Sequence, residues 1–482
     1  MKRVIKNISC CLLLILYLNV EANITLPKII GSDMVLQRGK KDAIWGYATA
    51  GEKISVSFHN QTKNAIADNA GLWQVSLDAM DASETPSEMV IKGNNTVSLK
   101  NILVGEVWLC SGQSNMEYSM RKNSKVVKVD SMDKNSPIDE LDRANNPAIR
   151  IFLVTQKNLL DKNPTTSGWS IAKDSALRSF SAAGYFFAKE LYAKLHVPIG
   201  MISAAIPGSA IEPWLSGAIK KQSEINKPIQ LDETDPGKFY PKMIQPLSPF
   251  AIKGFLWYQG ETNCFQNESI DYTYKMQALI NGWRKLWNDN KLPFYYVQIA
   301  PFYYSKSAGK FPLTAETLPK FWEAQTLAMQ IPYTGMAVIN DLSKSPDDLH
   351  PEGKWEVGKR LAQWPLANYY GMKIVPSGPM FKQMKIENGK IEIEFNYTGK
   401  GLVSKNGKPL SWFAIAGADE KFFPAQAKIV GDKIIVSSSS VSKPLNVRFA
   451  WSEAAQPNFF NKDGLPAVPF RTDNPLHFIS AQ

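Results

Sequence analysis

Short apolar runs separated by turn residues open the chain and change character near position 104. Ala43–Tyr47, Ile54–Phe58 and Leu72–Val75 are strand-like, with Ala50-Gly51-Glu52 between the first two and Asp68, Asn69 and Gly71 before the third. They predict a small β-sandwich over residues 23–103. From Val104 apolar strands alternate with amphipathic helices. The strands fall at Val104–Leu109, Ile149–Val154, Ile199–Ala204, Gly254–Tyr258, Phe294–Ile299 and Met336–Ile339. The helices fall at Ser181–Lys194, Tyr272–Trp287, Thr317–Gln330 and Gly353–Tyr370. In the first helix Tyr185, Ala188, Leu191 and Tyr192 share one side at helical spacing. Such alternation predicts an α/β domain over 104–374, a mostly parallel sheet covered on both faces. Ligands in such sheets bind beyond the carboxyl ends of the strands. From residue 375 period-two patterning returns, as in Lys390–Phe395 and Lys433–Val436, and predicts a second β region over 375–482.

The first 22 residues read as a removable export signal. Lys2, Arg3 and Lys6 precede the apolar stretch Ile8–Leu18, and Val20-Glu21-Ala22 offers small residues for cleavage. The stretch is too short to span a bilayer comfortably, and Cys10 and Cys11 lie inside it rather than after it. The expected location is therefore periplasmic or extracellular, with no membrane span. Removing this segment leaves a net charge of about +9, scattered without the basic block that tracks a phosphate backbone. Nucleic acid is not an expected partner. Cys110 and Cys264 remain, and the sequence leaves open whether they pair or stay as buried thiols. Aromatic residues make up 11% of the chain, with 13 Trp, a content that suits both sugar handling and a large core.

Four segments carry candidate chemistry. Gly112-Gln113-Ser114-Asn115-Met116 follows the first parallel strand, where a serine hydroxyl meets a helix N-terminus that favours developing negative charge. Pro207-Gly208-Ser209-Ala210 follows the third, and its glycine lets backbone N–H groups approach a ligand. Gly260-Glu261-Thr262-Asn263 follows the fourth, where the Asn263 amide is a candidate oxyanion donor. Asp347-Asp348-Leu349-His350-Pro351 precedes the last helix, and an acid shortly before a histidine can orient its ring. Of the four histidines, His59 lies in the N-terminal β region, His196 at the wrong end of the sheet and His477 in the tail. Elimination leaves His350 as the general base. Four dispersed histidines offer no ligand cluster, so neither a metal nor another cofactor is expected.

Taken together and in order, Ser114, Gly208, Gly260-x-x-Asn263 and Asp347-x-x-His350 resemble the four sequence blocks of the SGNH hydrolases. Val104–Met116, Trp257–Asn263, Ile211-Glu212-Pro213-Trp214, Met34–Arg38 and Pro469–Asp473 are similar to the sialate O-acetylesterase branch of that superfamily. The resemblance implies an SGNH-type α/β/α sandwich with accessory β regions and hydrolysis of acetyl esters on sugars. It implies Ser114 as nucleophile and His350 as base. Asp347 is the expected orienting acid, with Asp348 or a backbone carbonyl as alternatives. The oxyanion hole falls to the Ser114 and Gly208 N–H groups and the Asn263 side chain. Gln113, Gln259, Glu261 and Trp214 are expected to bind substrate. Two positions depart from the family pattern. Pro207 stands where relatives often carry glycine and has no N–H to donate, and Trp322 stands where an arginine is common. The implied partner is an acetylated glycan or sialic acid; acetylated xylan and a non-catalytic glycan-binding role are the competing readings. The oligomeric state is not legible.

Overall fold

The computed structural model describes residues 23–126, 139–155, 159, 168–220 and 229–479. The export signal expected over residues 1–22 lies outside the described residues.

The strand expected at Val104–Leu109 is part of a much longer one, β1 (Thr96–Gly112). Its first half alternates buried and exposed side chains, and its second half is buried throughout. That change follows its surroundings. The first half pairs antiparallel with Ser83–Lys92 in the N-terminal β region. The second half enters the central sheet, so the boundary read at 103/104 falls inside one continuous strand. In the N-terminal region Lys53–Phe58 buries Ile54, Val56 and Phe58 and leaves the intervening positions more exposed, as period-two patterning requires.

The central sheet contains β1, β2 (Asn146–Leu153), β3 (Trp169–Ala172), β4 (Ile199–Ala205), β5 (Gly254–Tyr258), β6 (Phe294–Val297) and β7 (Thr334–Ala337). Their spatial order is β7-β6-β5-β1-β4-β2-β3. All neighbours run parallel except β3, which is antiparallel to β2. The chain fills the sheet on one side of β1 and then crosses to the other at β5. The crevice at this reversal, beyond the carboxyl ends of β1, β4 and β5, is where an open parallel sheet places its ligand.

Helices α1 (Ser114–Glu117), α2 (Ala182–Leu195), α3 (Glu261–Phe265), α4 (Ile270–Leu286), α5 (Thr317–Leu327) and α6 (Lys354–Asn368) connect or cover these strands. On β5, Leu256 and Tyr258 face the core under α2 and α6, whereas Phe255 and Trp257 face the core under α4 and α5. A strand buried on both faces needs apolar residues at every position, which is why β5 reads as an unbroken run. Helix α2 begins at Ser181, whose Oγ accepts from the Gly184 N–H at 3.1 Å. It ends at His196 in the left-handed conformation, at the amino edge of the sheet as expected.

The C-terminal β region packs back on the central α/β layer through polar pairs. Arg448 reaches Glu316 at 2.8 Å, Arg471 reaches Glu323 at 2.9 Å, and Asn340 donates to the Ala467 carbonyl at 3.2 Å. Cys110 and Cys264 are both buried free thiols, and burial pushes Cys110 up to about 12.

Gly112 ends β1 with φ +142°, and a Cβ there would lie 2.1 Å from the Tyr258 carbonyl oxygen. Both the conformation and the close approach of β5 require glycine. Gly112→Ala is expected to destabilise the fold by about 2 kcal/mol or more, measured as a lowered midpoint of denaturant unfolding.

Candidate active site

Gly112 and Gln113 turn the chain sharply off β1, and Ser114 opens the short helix α1. The His350 loop descends from β7 to the start of α6. The two meet at the carboxyl rim, with His350 Nε2 2.8 Å from Ser114 Oγ. The contact is a hydroxyl-to-imidazole hydrogen bond in the geometry a nucleophile–base pair requires. Burial, followed by the nearby Lys354 ammonium, lowers the His350 pKa below the ordinary 6.5, and Asp348 opposes this. The ring is therefore neutral at neutral pH, the form that accepts a proton.

The expected orienting acid is placed elsewhere. The Asp347 carboxylate accepts from Ser345 Oγ at 2.8 Å and lies 3.9 Å from Lys306 Nζ. It faces solvent and makes no hydrogen bond to His350 among the described residues. The Asp348 carboxylate instead accepts the backbone N–H of His350 at 2.8 Å. Its contact with His350 is thus to the main chain, which shapes the loop that presents the ring.

A further feature was not singled out from the sequence. Asn115, next to the serine, donates from Nδ2 to Glu261 Oε1 at 2.5 Å and to the Leu349 carbonyl at 3.0 Å. Its Oδ1 accepts from Lys354 Nζ at 2.7 Å, and that ammonium also donates to the Pro351 carbonyl at 2.6 Å. Leu349 and Pro351 flank His350. One buried amide and one buried lysine therefore tie the serine turn to both sides of the histidine. Lys354 is fully buried, and desolvation lowers its pKa to about 7 against the pull of Glu261. The signal was Lys354 three residues after Pro351, at the first turn of α6, where a cation is electrostatically out of place.

The three oxyanion-hole candidates differ in readiness. The backbone N–H groups of Ser114 and Gly208 meet no acceptor among the described residues. Gly208 sits at φ +69°, and Thr262 Oγ1 donates to its carbonyl at 3.2 Å, turning that peptide. Asn263 is fully buried. Its Oδ1 accepts from the Ile211 N–H at 3.0 Å and Gln259 Nε2 at 2.7 Å. That fixes the amide so that Nδ2 points at Glu212 (3.3 Å) and Glu268 (3.2 Å). Lys275 bridges both carboxylates. At rest, the amide donors expected to be open are shared with this pair.

The four residues expected to bind substrate are buried scaffold. Gln113 Oε1 accepts from Gln259 Nε2 at 3.2 Å and from the Gly260 N–H at 3.3 Å. Gln259 Oε1 accepts from the Tyr272 hydroxyl at 2.9 Å. Glu261 takes the Asn115 amide, and Trp214 Nε1 donates to Ser209 Oγ at 3.1 Å. Each is 2% exposed or less, so none presents its side chain to a glycan. They hold the serine, glycine and asparagine segments together. Trp322 is likewise buried, its indole N–H on the Ile299 carbonyl at 2.7 Å.

Among the described residues no group of three or more His, Cys, Asp or Glu is disposed to hold a metal ion. None of their helices is long and apolar enough to cross a membrane.

The chain is similar to known carbohydrate esterases. The family described as "Carbohydrate esterase, sialic acid-specific acetylesterase" matches residues 104–366. Sialate O-acetylesterase of Homo sapiens is 28% identical over 494 residues, covering 92% of this chain and 91% of that protein. The Mus musculus enzyme is 27% identical over 517 residues, covering 92% and 93%. A carbohydrate acetylesterase from Xanthomonas citri superposes with a TM-score of 0.81 at 35% identity, over 94% of this chain and 100% of that one.

The depressed His350 pKa makes a signed prediction. Activity that needs the neutral ring rises with pH and levels off with a midpoint below 6.5. Lys354→Met removes the neighbouring positive charge and is expected to move that midpoint upward while lowering kcat. The measurement is the pH profile of aryl acetate hydrolysis by both proteins.

Proposed function

Because the chain belongs to the sialic acid-specific acetylesterase family of carbohydrate esterases, we propose that it removes acetyl groups from sugar hydroxyls by Ser114–His350 catalysis, with O-acetylated sialic acid as the substrate. The single observation that carries this reading is the 2.8 Å contact between Ser114 Oγ and His350 Nε2 at the switch point of a parallel sheet. The 28% identity to Homo sapiens sialate O-acetylesterase supports the substrate.

In this mechanism Ser114 Oγ attacks the acetyl carbonyl carbon while His350 Nε2 takes the hydroxyl proton. The tetrahedral oxyanion accepts hydrogen bonds from the Ser114 and Gly208 N–H groups. One Asn263 N–H leaves its long contact with Glu212 or Glu268 to join them, so that donor strengthens as the charge develops. Collapse breaks the bond to the sugar oxygen, which takes the proton from His350 and leaves as a hydroxyl. Water, deprotonated by the same ring, then attacks acetyl-Ser114 and releases acetate. Ser114 and His350 suffice as a dyad, with Asp348 bracing the loop rather than bonding the imidazole. The pattern of residues 1–22 supports export, to the periplasm or beyond the cell, where acetylated glycans are reached.

Ser114→Ala is expected to abolish hydrolysis of p-nitrophenyl acetate, and Asn263→Ala to lower kcat by roughly 10²–10³; wild-type rates in either would remove that residue from the mechanism. Acetate release from 9-O-acetylated sialic acid should exceed release from acetylated xylan. A preference for xylan would reject the sialate substrate and leave the mechanism standing.

A further inference from the structure

The amino ends of the strands, opposite the Ser114 rim, hold a cavity of about 690 Å³. That is the size of a small-ligand site, and it lies where the N-terminal β region meets the central sheet, a junction of the kind that houses such sites. Its lining includes Tyr295 on β6, whose ring stacks on Trp108 with centroids 6.0 Å apart. Trp108 precedes Ser114 by six residues along β1, which is about 20 Å at strand rise. The cavity is thus separate from the catalytic rim.

Its chemistry is uneven in charge. Three ammonium groups line it, from Lys40, Lys253 and Lys291, with one carboxylate, Asp289. Lys40 pairs with Asp289 at 2.9 Å. Lys253 is nearly buried, with Nζ 3.5 Å from the Tyr369 ring centroid and 3.8 Å from Glu106. Glu106 already accepts from Arg38 at 2.6 Å, so it only partly compensates Lys253. Lys291 is exposed and has no acidic partner among the described residues. A buried cation on an aromatic face beside a free one leaves the cavity positive.

The cavity is also lined by exposed aromatic side chains. Tyr333 and Tyr369 are each 52% exposed. Tyr333 holds φ +58°, a left-handed conformation that a bulky residue adopts only at an energetic cost and that recurs at ligand clamps. Tyrosine rings stack on the apolar faces of sugars and offer hydroxyls to their edges.

We propose that this cavity is a second, non-catalytic saccharide site that takes a carboxylate-bearing sugar, with the Tyr333 ring as the platform and Lys291 as the carboxylate partner, beside the positive charge of Lys253. It rests on the reading of the chain as a glycan esterase and deepens it, because such a site would hold an acidic glycan on the protein while acetyl groups are removed elsewhere.

The test is calorimetric titration of the full chain with sialyllactose, which carries no O-acetyl group and is not turned over, against lactose as the neutral control. The expected result is binding of sialyllactose, with lactose weaker, and at least about a tenfold loss of affinity in Lys291→Glu/Tyr333→Ala. Aryl acetate turnover is expected to be unchanged in that variant. Lys291→Glu alone, at an exposed position, supplies the same charge reversal should the double variant fail to fold. Equal affinity for lactose, affinity unaffected by both variants, or tighter binding of inorganic pyrophosphate than of sialyllactose would each overturn the proposal. Loss of aryl acetate turnover in Ser114→Ala tests the esterase reading separately, so the two can fail independently.

Discussion

The site depends on the side-chain amide of Asn115 being held from both ends. Its oxygen takes the Lys354 ammonium, and its nitrogen serves Glu261 and the Leu349 carbonyl. The serine turn leaves β1 and the histidine loop comes from β7, at the far edge of the sheet, more than two hundred residues later. Loops so remote in sequence have no local reason to agree on a 2.8 Å contact. A buried, charge-assisted network supplies that reason, because any displacement of either loop leaves a desolvated charge or carbonyl without a partner. The arrangement costs desolvation, visible in the lowered Lys354 pKa and the raised pKa of Glu261. The geometry offsets it.

A related logic governs the other half of the crevice. Gln113 and Gln259 link the turn after β1 to the turn after β5, while Gln259 and Asn263 reach back to the Ser209–Ile211 segment after β4. Three strands adjoining the topological switch thus deliver three backbone turns, and buried amides set their spacing. Ser114 and Glu212 are left partly exposed along this crevice.

Much of this was legible in the sequence, and the misses have physical causes. The unbroken apolar run Gly254–Tyr258 marked a doubly covered strand with bounds that match the structure, whereas the run read at Met336–Ile339 is a strand over Thr334–Ala337. The helices were found to within a few residues because their apolar spacing is regular. The length of β1 was hidden, since a strand passing from a half-exposed sheet to a buried one changes pattern midway and reads as two elements. Ser114 and His350, singled out by motif order and by elimination among four histidines, are brought within 2.8 Å of each other. Asp347 was misread because spacing to a histidine cannot tell which way a carboxylate points, and here Ser345 and Lys306 hold it. Gln113, Gln259, Glu261 and Trp214 lie in the same motifs as the reacting groups, and position in a motif does not separate a residue that touches substrate from one that builds the crevice. Lys354 was missed for a similar reason: a lysine at the start of a helix reads as surface until its burial is known.

The central claim is that Ser114 is made nucleophilic by His350 at this rim. Its most direct test is the rate of covalent labelling by an organophosphate ester, with the modified peptide located by mass spectrometry. A single label is expected on the Ser114 peptide, formed far more slowly in His350→Ala and blocked by prior unfolding. A label on another serine, or equal rates with and without His350, would contradict it.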